Sequence, residues 1–393
     1  MKQVQKVAHL IRDDNEALDV AARLAELFAQ EASARDRDRV LPVAEIQAYS
    51  ASGLLGAIVP KRFGGAAISN VTLSRVTATI SEADSSIGQI PQPHYCLVDA
   101  VRIVGTPIQQ ETFFADALAG KLFGNAVSEV GKDYETSTTT LKGSVLNGRK
   151  FYSTGSLFAD WVPIAAKDDH GKAVMVYVPA EAIGLSVLDD WTGMGQRTTA
   201  SGSVVAENVE VQDWQVLARH RLFDEPTIHG PFAQLLHTAI DLGIARAAMS
   251  DLRDWVQKRA RPWKDSGVNQ ASSDPLTTTS IGRMVMQLHA AEGMLDRAGG
   301  YVDEASANPS DVTVGEASVA VAEAKVLATE LALAASSMLF ELAGTQSSLE
   351  EHNLARHWRN ARTHTLHDPV RWKPHVVGSF WLNNALPPRH GSV

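Results

Sequence analysis

The order in which the hydrophobic repeat changes along this chain restricts its fold more than any other feature. Apolar residues recur at helical spacing up to about residue 120, alternate with period two from about 121 to 225, and return to long helical runs after 226. In ALDVAARLAELFAQEASARDRDR, the series Val20, Leu24, Leu27 and Phe28 predicts one apolar helix face, and the mixed-sign block ARDRDR reads as its solvated end. PVAEIQAYSASGLLGAIVPKRFGG predicts a helix, a Gly break and a short apolar strand or loop closing on Gly64-Gly65. In the middle, TTTLKGSVLNGRKFYSTG predicts a hairpin turning at Asn147-Gly148, and AVMVYVPA, GLSVLDD and GSVVAENVEV follow as strands of a small barrel or sandwich. The last stretch holds Ala-rich runs that predict a bundle of three or four helices, with Gly344 as a helix stop. The predicted architecture is α+β, mainly α, in three parts: residues 1–120 helical, 121–225 β, and 226–393 a helical bundle with a C-terminal tail.

Charge and cysteine usage narrow the setting. Thirty-six Lys and Arg against 45 Asp and Glu give a net charge of −9, which argues against a nucleic-acid partner. The single cysteine, Cys96, can form no internal disulfide, so a reducing, cytoplasmic interior is expected. The start of the chain shows no apolar core followed by a small-residue cleavage site, so no secretion signal is expected. ASVAVAEAKVLATELALAASSMLF follows Glu316 and contains Glu323, Lys325 and Glu330, a charge density that predicts a soluble helix and no membrane span.

Generic catalytic motifs are absent. The chain has no Gly-x-Gly-x-x-Gly after a strand, no phosphate loop and no Gly-x-Ser-x-Gly elbow. Six of the 13 histidines fall in the last 42 residues: His352, His357, His364, His367, His375 and His390. His364 and His367 share a helical face, but no carboxylate stands beside them at a metal-site spacing, and no metal is expected.

Four segments in order resemble the acyl-CoA dehydrogenase family. GNAVSEVGKDY is similar to its flavin- and substrate-contacting strand, and GSVLNGRKFYSTGSLFADWV to the β motif that lies against the flavin ring. DDWTGMGQRTTASGSVVAENVEVQDWQVL resembles its strand pair with the Gly-x-Arg turn, with Val211-Gln212 in place of its valine-proline exit. ELAGTQSSLEEHNLARHWRNARTH resembles the last-helix segment with its Arg-x-Ala-Arg. The resemblance implies that family's fold: an N-terminal helical domain, a central β domain and a C-terminal four-helix bundle, assembled as a homotetramer.

The departures from the family bear on function. Where those dehydrogenases carry a catalytic Glu, this chain reads Thr363-His364-Thr365-Leu366-His367-Asp368-Pro369. The tail THTLHDPVRWKPHVVGSFWLNNALPPRHGSV instead resembles a subfamily that oxygenates sulfur compounds: dibenzothiophene monooxygenase, alkanesulfinate monooxygenases and sulfur-acquisition oxidoreductases. That likeness implies a two-component monooxygenase. Reduced FMN would come from a separate NAD(P)H-dependent flavin reductase, and O₂ would form a C4a-hydroperoxyflavin that oxygenates a small organosulfur substrate. It further implies that His94 and His367 flank the flavin, with His364 in support, and that Asn125 and Ser153 or Thr154 hydrogen-bond flavin or peroxide. Ser128 and Thr154 would touch the ring, and Arg283 would fork onto the FMN phosphate. Trp372 is a flavin contact or a packing aromatic on equal terms. Bound FAD stays open as the cofactor, as do two other functions: an acyl-CoA dehydrogenase or oxidase using Asp368 as base, and a flavin-binding paralogue without turnover.

Overall fold

The computed structural model describes residues 8–131 and 136–392; Lys132, Asp133 and Tyr134 of the GNAVSEVGKDY motif lie outside them. The N-terminal part holds helices α1 (Asp14–Ala29), α2 (Ala32–Asp38), α3 (Val43–Ala51), α4 (Asn70–Ala83), α5 (Ser85–Gln89), α6 (Gln92–Val104) and α7 (Pro107–Leu118). Short polar side chains start them where the orphan amides need acceptors: Asp13 accepts from the Glu16 N–H, Ser69 from Thr72, and Asp84 from Ser86 and Ile87. Gly53 makes the predicted break after α3.

Seven strands follow: β1 (Thr140–Lys142), β2 (Val145–Lys150), β3 (Trp161–Lys167), β4 (Ala173–Pro179), β5 (Leu185–Val187), β6 (Val204–Glu210) and β7 (Val216–Leu217). They form one open sheet, in the order β5-β6-β2-β1-β3-β4-β7, where a barrel or sandwich was expected. The expected turn at Asn147-Gly148 is corrected. The chain reverses at Gly143-Ser144, and Asn147-Gly148 lie inside β2, where the pairing with β6 slips between Leu146 and Gly148. Gly148 is used there for space: a Cβ would meet the Thr139 side chain at 2.4 Å. β3 and β4 are buried on both faces, which explains their continuous apolar runs.

The C-terminal part consists of α8 (His229–Lys258), α9 (Pro275–Ala307), α10 (Asp311–Ala343), α11 (Ala355–His364) and α12 (Lys373–Asn383). α10 packs along α8 and α9, and α4 packs on the same pair, so the bundle core runs on into the N-terminal helices. α10 is long and apolar enough to cross a membrane by length and composition, but its run 317–322 is buried in protein, as are Ala324, Lys325 and Ala328. Gly344 ends it as predicted.

The block ARDRDR is a solvated helix end only in part: Arg37 and Asp38 are exposed, but Arg35 and Asp36 are buried. Arg35 is 5% exposed and pairs with Asp84 at 3.0 Å and Glu45 at 2.9 Å. Asp36 takes the guanidinium of Arg359 on α11 at 2.5 Å and the amide of Asn353. Arg35 and Asp36 thus tie the first helices to Asp84 and α11, while Arg37 and Asp38 stay exposed and pair with each other.

Candidate functional site

A cleft of about 810 Å³ opens between the sheet domain and the end of α11. On the sheet side lie Ser128, Phe151, Tyr152, Thr154, Trp191, Gln196, Thr199 and Ser201; on the helical side lie Gln89, Thr363, His364, Leu366 and His367. The two sides meet at the TGMGQ loop. A Cβ on Gly195 would come within 2.0 Å of the Arg359 carbonyl, so only glycine lets the loop lie flat on α11. The next amide, Gln196 N–H, donates to Asn360 Oδ1 at 2.7 Å. Tyr152, Gln196 and Ala200 all hold positive φ, of 57°, 50° and 49°, a concentration of backbone strain at one place.

The sheet-side wall is aromatic and hydroxylated. Phe151, Tyr152 and Trp191 form a ring group with centroids 4.9 to 6.2 Å apart. Beside them the Thr154, Ser201 and Thr199 hydroxyls stand 2.7 Å apart in sequence, and Thr199 donates to the Gln196 carbonyl at 2.9 Å. Glu129 is the one carboxylate among the described lining residues, and it is engaged by Ser137, Thr138, Thr139 and Lys150. Burial would raise its pKa, but these hydrogen bonds outweigh burial and hold it far below the usual carboxylate range.

Behind the helical wall lies a buried charge network. Asp241 on α8 and Lys325 on α10 are both fully buried and 3.1 Å apart, with Thr329 donating to the same carboxylate oxygen. The other oxygen, Oδ1, takes Nδ1–H of His364 at 2.5 Å. The other ring nitrogen of His364, Nε2, lies 3.2 Å from His237 Nδ1. Burial would push Asp241 up, yet Lys325 and His364 hold it well below the carboxylate range. His237 is held well below the usual histidine range by burial and then by His367 and His364. His367 donates from Nδ1 to the His364 carbonyl at 2.9 Å and has the Gln89 amide 3.2 Å from Nε2. It is open to the cleft yet walled by protein on its other sides, which, with His364, lowers its pKa to about 4.

The nitrogens of His237, His364 and His367 lie within 4.8 Å of one another, a grouping able to hold a metal ion. His237 and His364 are 3.2 Å apart through Nδ1 and Nε2, and the positive charge of Lys325 and Lys373 bears on the His237 ring.

The structure brings His364, His367, Ser128 and Thr154 together at the cleft. Asn125 and Ser153 stand just behind its wall. The Asn125 side chain donates to the Tyr152 carbonyl at 3.2 Å, and the Ser153 hydroxyl is buried with no hydrogen-bond partner. The placement of His94 at the cleft is corrected. It is fully buried on α6, with Nδ1 accepting from the Phe123 N–H at 3.1 Å and Nε2 donating to the Leu55 carbonyl at 2.9 Å. Both nitrogens are used in the core, and burial lowers its pKa to about 4. Arg283 is exposed on α9, and Trp372 is 58% exposed against His375; neither lines the cleft of its own chain. Asp368 is buried in a 3.3 Å ion pair with Lys373, and it too lies outside the cleft lining.

Sequence reasoning missed Gln89, Tyr152, Trp191, His237, Asp241 and Lys325. A signal for three of these exists in retrospect. His237 and Asp241 are four apart within an apolar helix, as are Lys325 and Thr329, so each pair puts two polar groups on one inward face.

The acyl-CoA dehydrogenase N-terminal domain matches residues 13–121, and the acyl-CoA dehydrogenase C-terminal domain matches residues 235–372. The chain belongs to the acyl-CoA dehydrogenase family. Among its relatives is dibenzothiophene monooxygenase of Rhodococcus qingshengii, 33% identical over 95% of both chains. A probable FMNH2-dependent monooxygenase of Pseudomonas putida is 32% identical over 94% of this chain and 96% of its own. The crystal structure of FMN-bound TdsC from Paenibacillus sp. A11-2 superposes with a TM-score of 0.91 at 30% identity, covering 96% of this chain and all of that one.

Proposed function

We propose that this chain is the oxygenase of a two-component system, binding reduced FMN from a separate flavin reductase and transferring one oxygen atom from O₂ to a small organosulfur compound. The observation that carries the reading is the cleft itself: an aromatic and hydroxyl wall facing two histidines, with its one described carboxylate fully engaged. A dehydrogenase needs a free carboxylate to abstract a proton. Glu129 is immobilised by its donors, and Asp368 is paired with Lys373 away from the cleft. The relatives point the same way, since their names join FMNH2, monooxygenation and a sulfur heterocycle.

The residues present fit a flavin. The cleft volume lies in the range of ligand pockets, about 300–1,000 Å³, and its aromatics and hydroxyls suit a flat, polar-edged ring. Reduced FMN, when bound, supplies the two electrons that activate O₂. Ser128 and Thr154 would hold the ring edge, and the unpartnered Ser153 hydroxyl stands one residue from Thr154. Tyr152, backed by Asn125, and Trp191 exclude water from one side. His367, neutral at pH 7, has Nε2 accepting from the Gln89 amide, and would take up and return a proton there by exchanging that contact for one in the cleft. His364 is held in one tautomer behind it by Asp241.

Among the described lining residues, no Lys or Arg reaches the cleft to bind a phosphate. Arg283, which lies outside the cleft of its own chain, would serve there from a second copy in a homotetramer. Leu276 and Met286 on α9 and Trp381 and Leu382 on α12 are 65 to 85% exposed, apolar surface of the kind an interface covers. We place the enzyme in the cytoplasm.

The test is to supply NADH, a flavin reductase, FMN and ¹⁸O₂, with dibenzothiophene or a small sulfinate as substrate. The expected result is product carrying one ¹⁸O atom per turnover. The reading fails if every sulfur compound yields only H₂O₂, and an acyl-CoA that bleaches bound FAD would replace it with the dehydrogenase.

A further inference from the structure

The hydroxyls on the sheet-side wall form a chain whose direction is set at its inner end. The Gln196 carbonyl can only accept, and it receives the Trp191 indole N–H at 2.9 Å, the Thr199 hydroxyl at 2.9 Å and the Thr199 amide at 3.3 Å. Each hydroxyl has one proton to give. Thr199 spends its proton on Gln196, so across the 2.7 Å contact with Ser201 it must accept. Ser201 therefore donates to Thr199, and across the next 2.7 Å contact it accepts from Thr154. Thr154, at the outer end of the chain on the cleft wall and read above as a ring contact, is left with lone pairs and no proton to offer.

The backbone holds this order in place. Ser153 N–H donates to the Gly202 carbonyl at 3.1 Å and Gly155 N–H to the Thr199 carbonyl at 3.3 Å, clamping the segment that carries Thr154 against the one that carries Thr199 and Ser201. All three side chains are 5% exposed or less, so bulk water cannot readily reverse the chain.

A flavin changes hydrogen-bonding character with its redox state. Reduced isoalloxazine carries an N–H at N5, whereas the oxidised ring has a bare nitrogen acceptor at the same position. We propose that the Thr154–Ser201–Thr199 chain makes the cleft selective for the reduced flavin, by presenting a hydrogen-bond acceptor where the oxidised ring also presents one. This rests on the reading of the cleft as a reduced-FMN site and adds a reason for its specificity. An oxygenase fed by free reduced FMN works in the presence of the oxidised product, and a wall that opposes two acceptors keeps that product from occupying the cleft. Leaving a buried acceptor facing an acceptor, in place of a matched donor, corresponds to about a ten- to hundredfold difference in affinity.

The test is anaerobic titration of the intact protein with oxidised FMN and with dithionite-reduced FMN, followed by flavin fluorescence and absorbance. Wild type is expected to bind the reduced form at least about tenfold more tightly. Thr199→Val removes the donor that sets the direction, and Ser201→Ala removes the middle link. In either variant Thr154 becomes free to donate, and the expected ratio falls to within about threefold, mainly through tighter binding of oxidised FMN. Thr199→Ser keeps the hydroxyl and should keep the ratio. The Ser201→Ala arm stands by itself if Thr199→Val does not fold. Equal wild-type affinities for the two redox states overturn the inference, as does a preference that survives in both variants. Failure of wild type to bind either form defeats the flavin reading itself, a separate outcome.

Discussion

Replacing Asp241 by Asn removes the counter-charge of a lysine that no water reaches. Asp241 and Lys325 are both 0% exposed and 3.1 Å apart, and the remaining neighbours of that carboxylate, Thr329 and His364, carry no negative charge. An orphaned buried charge of this kind costs about 3–5 kcal/mol. A second route bounds the same number. The ammonium can escape the penalty by giving up its proton on folding, and at pH 7 a group that ordinarily titrates near 10.4 does so for about 4.6 kcal/mol. The bound depends on pH with a definite sign. In the variant the unfolded state holds one more proton than the folded state below about pH 10.4, so stability rises with pH relative to wild type. At pH 9.5 the cap shrinks to about 1.2 kcal/mol. The assay is urea unfolding of wild type and Asp241→Asn at pH 7 and pH 9.5, comparing midpoints scaled by the denaturant slope. The expected deficit is about 4 kcal/mol at pH 7 and near 1 kcal/mol at pH 9.5. A deficit that is the same at both pH values, or below about 1 kcal/mol at pH 7, refutes the reasoning. Adding Lys325→Met should recover most of the loss, because a buried pair replaced by apolar groups is close to neutral.

Other consequences of the structure are open to direct measurement. His94→Gln should lower stability at pH 7 by about 1–3 kcal/mol through its two core hydrogen bonds, with little change in the ratio of oxygenated product to H₂O₂. Because His94 is depressed to about 4, wild type should lose roughly 3 kcal/mol as pH falls from 6.5 to 4, and the variant's acid limb should be flatter. An equally steep limb in the variant would show that His94 is not the group titrating. Arg283→Ala should weaken FMN binding by about tenfold or more and leave riboflavin, which has no phosphate, unaffected; an equal loss for both ligands would remove the phosphate role. Gly195→Ala forces a methyl group to within 2.0 Å of the Arg359 carbonyl, so the loop must lift from α11. Flavin affinity should then drop more than stability does, and an unchanged dissociation constant would separate this loop from the site.

Local chemistry in the sequence was enough for much of this protein. The switch from helical to alternating to helical spacing specified three regions of matching structure, because the repeat of the apolar residues is the repeat of the backbone that buries them. Gly53 and Gly344 marked real breaks for the same local reason. Ser128, Thr154, His364 and His367, grouped through the likeness of their motifs, line one cleft. Tertiary structure decided what local spacing does not encode. Asn147-Gly148 has the composition of a tight turn, yet the crowding of Thr139 uses that glycine inside a strand. His94 sits in a motif beside the site, but its two nitrogens are spent on Leu55 and Phe123 in the core. Arg35 and Asp36 read as surface charges until Asp84 and Arg359 arrive from elsewhere in the chain. The Asp241–Lys325–His364 network joins three helices across 84 and 123 residues of sequence, and the direction of the Thr154 hydroxyl depends on a carbonyl in another loop. A residue's own sequence neighbourhood shows whether it can be buried or ionised, but the partner that makes burial or ionisation affordable is chosen only when the chain folds.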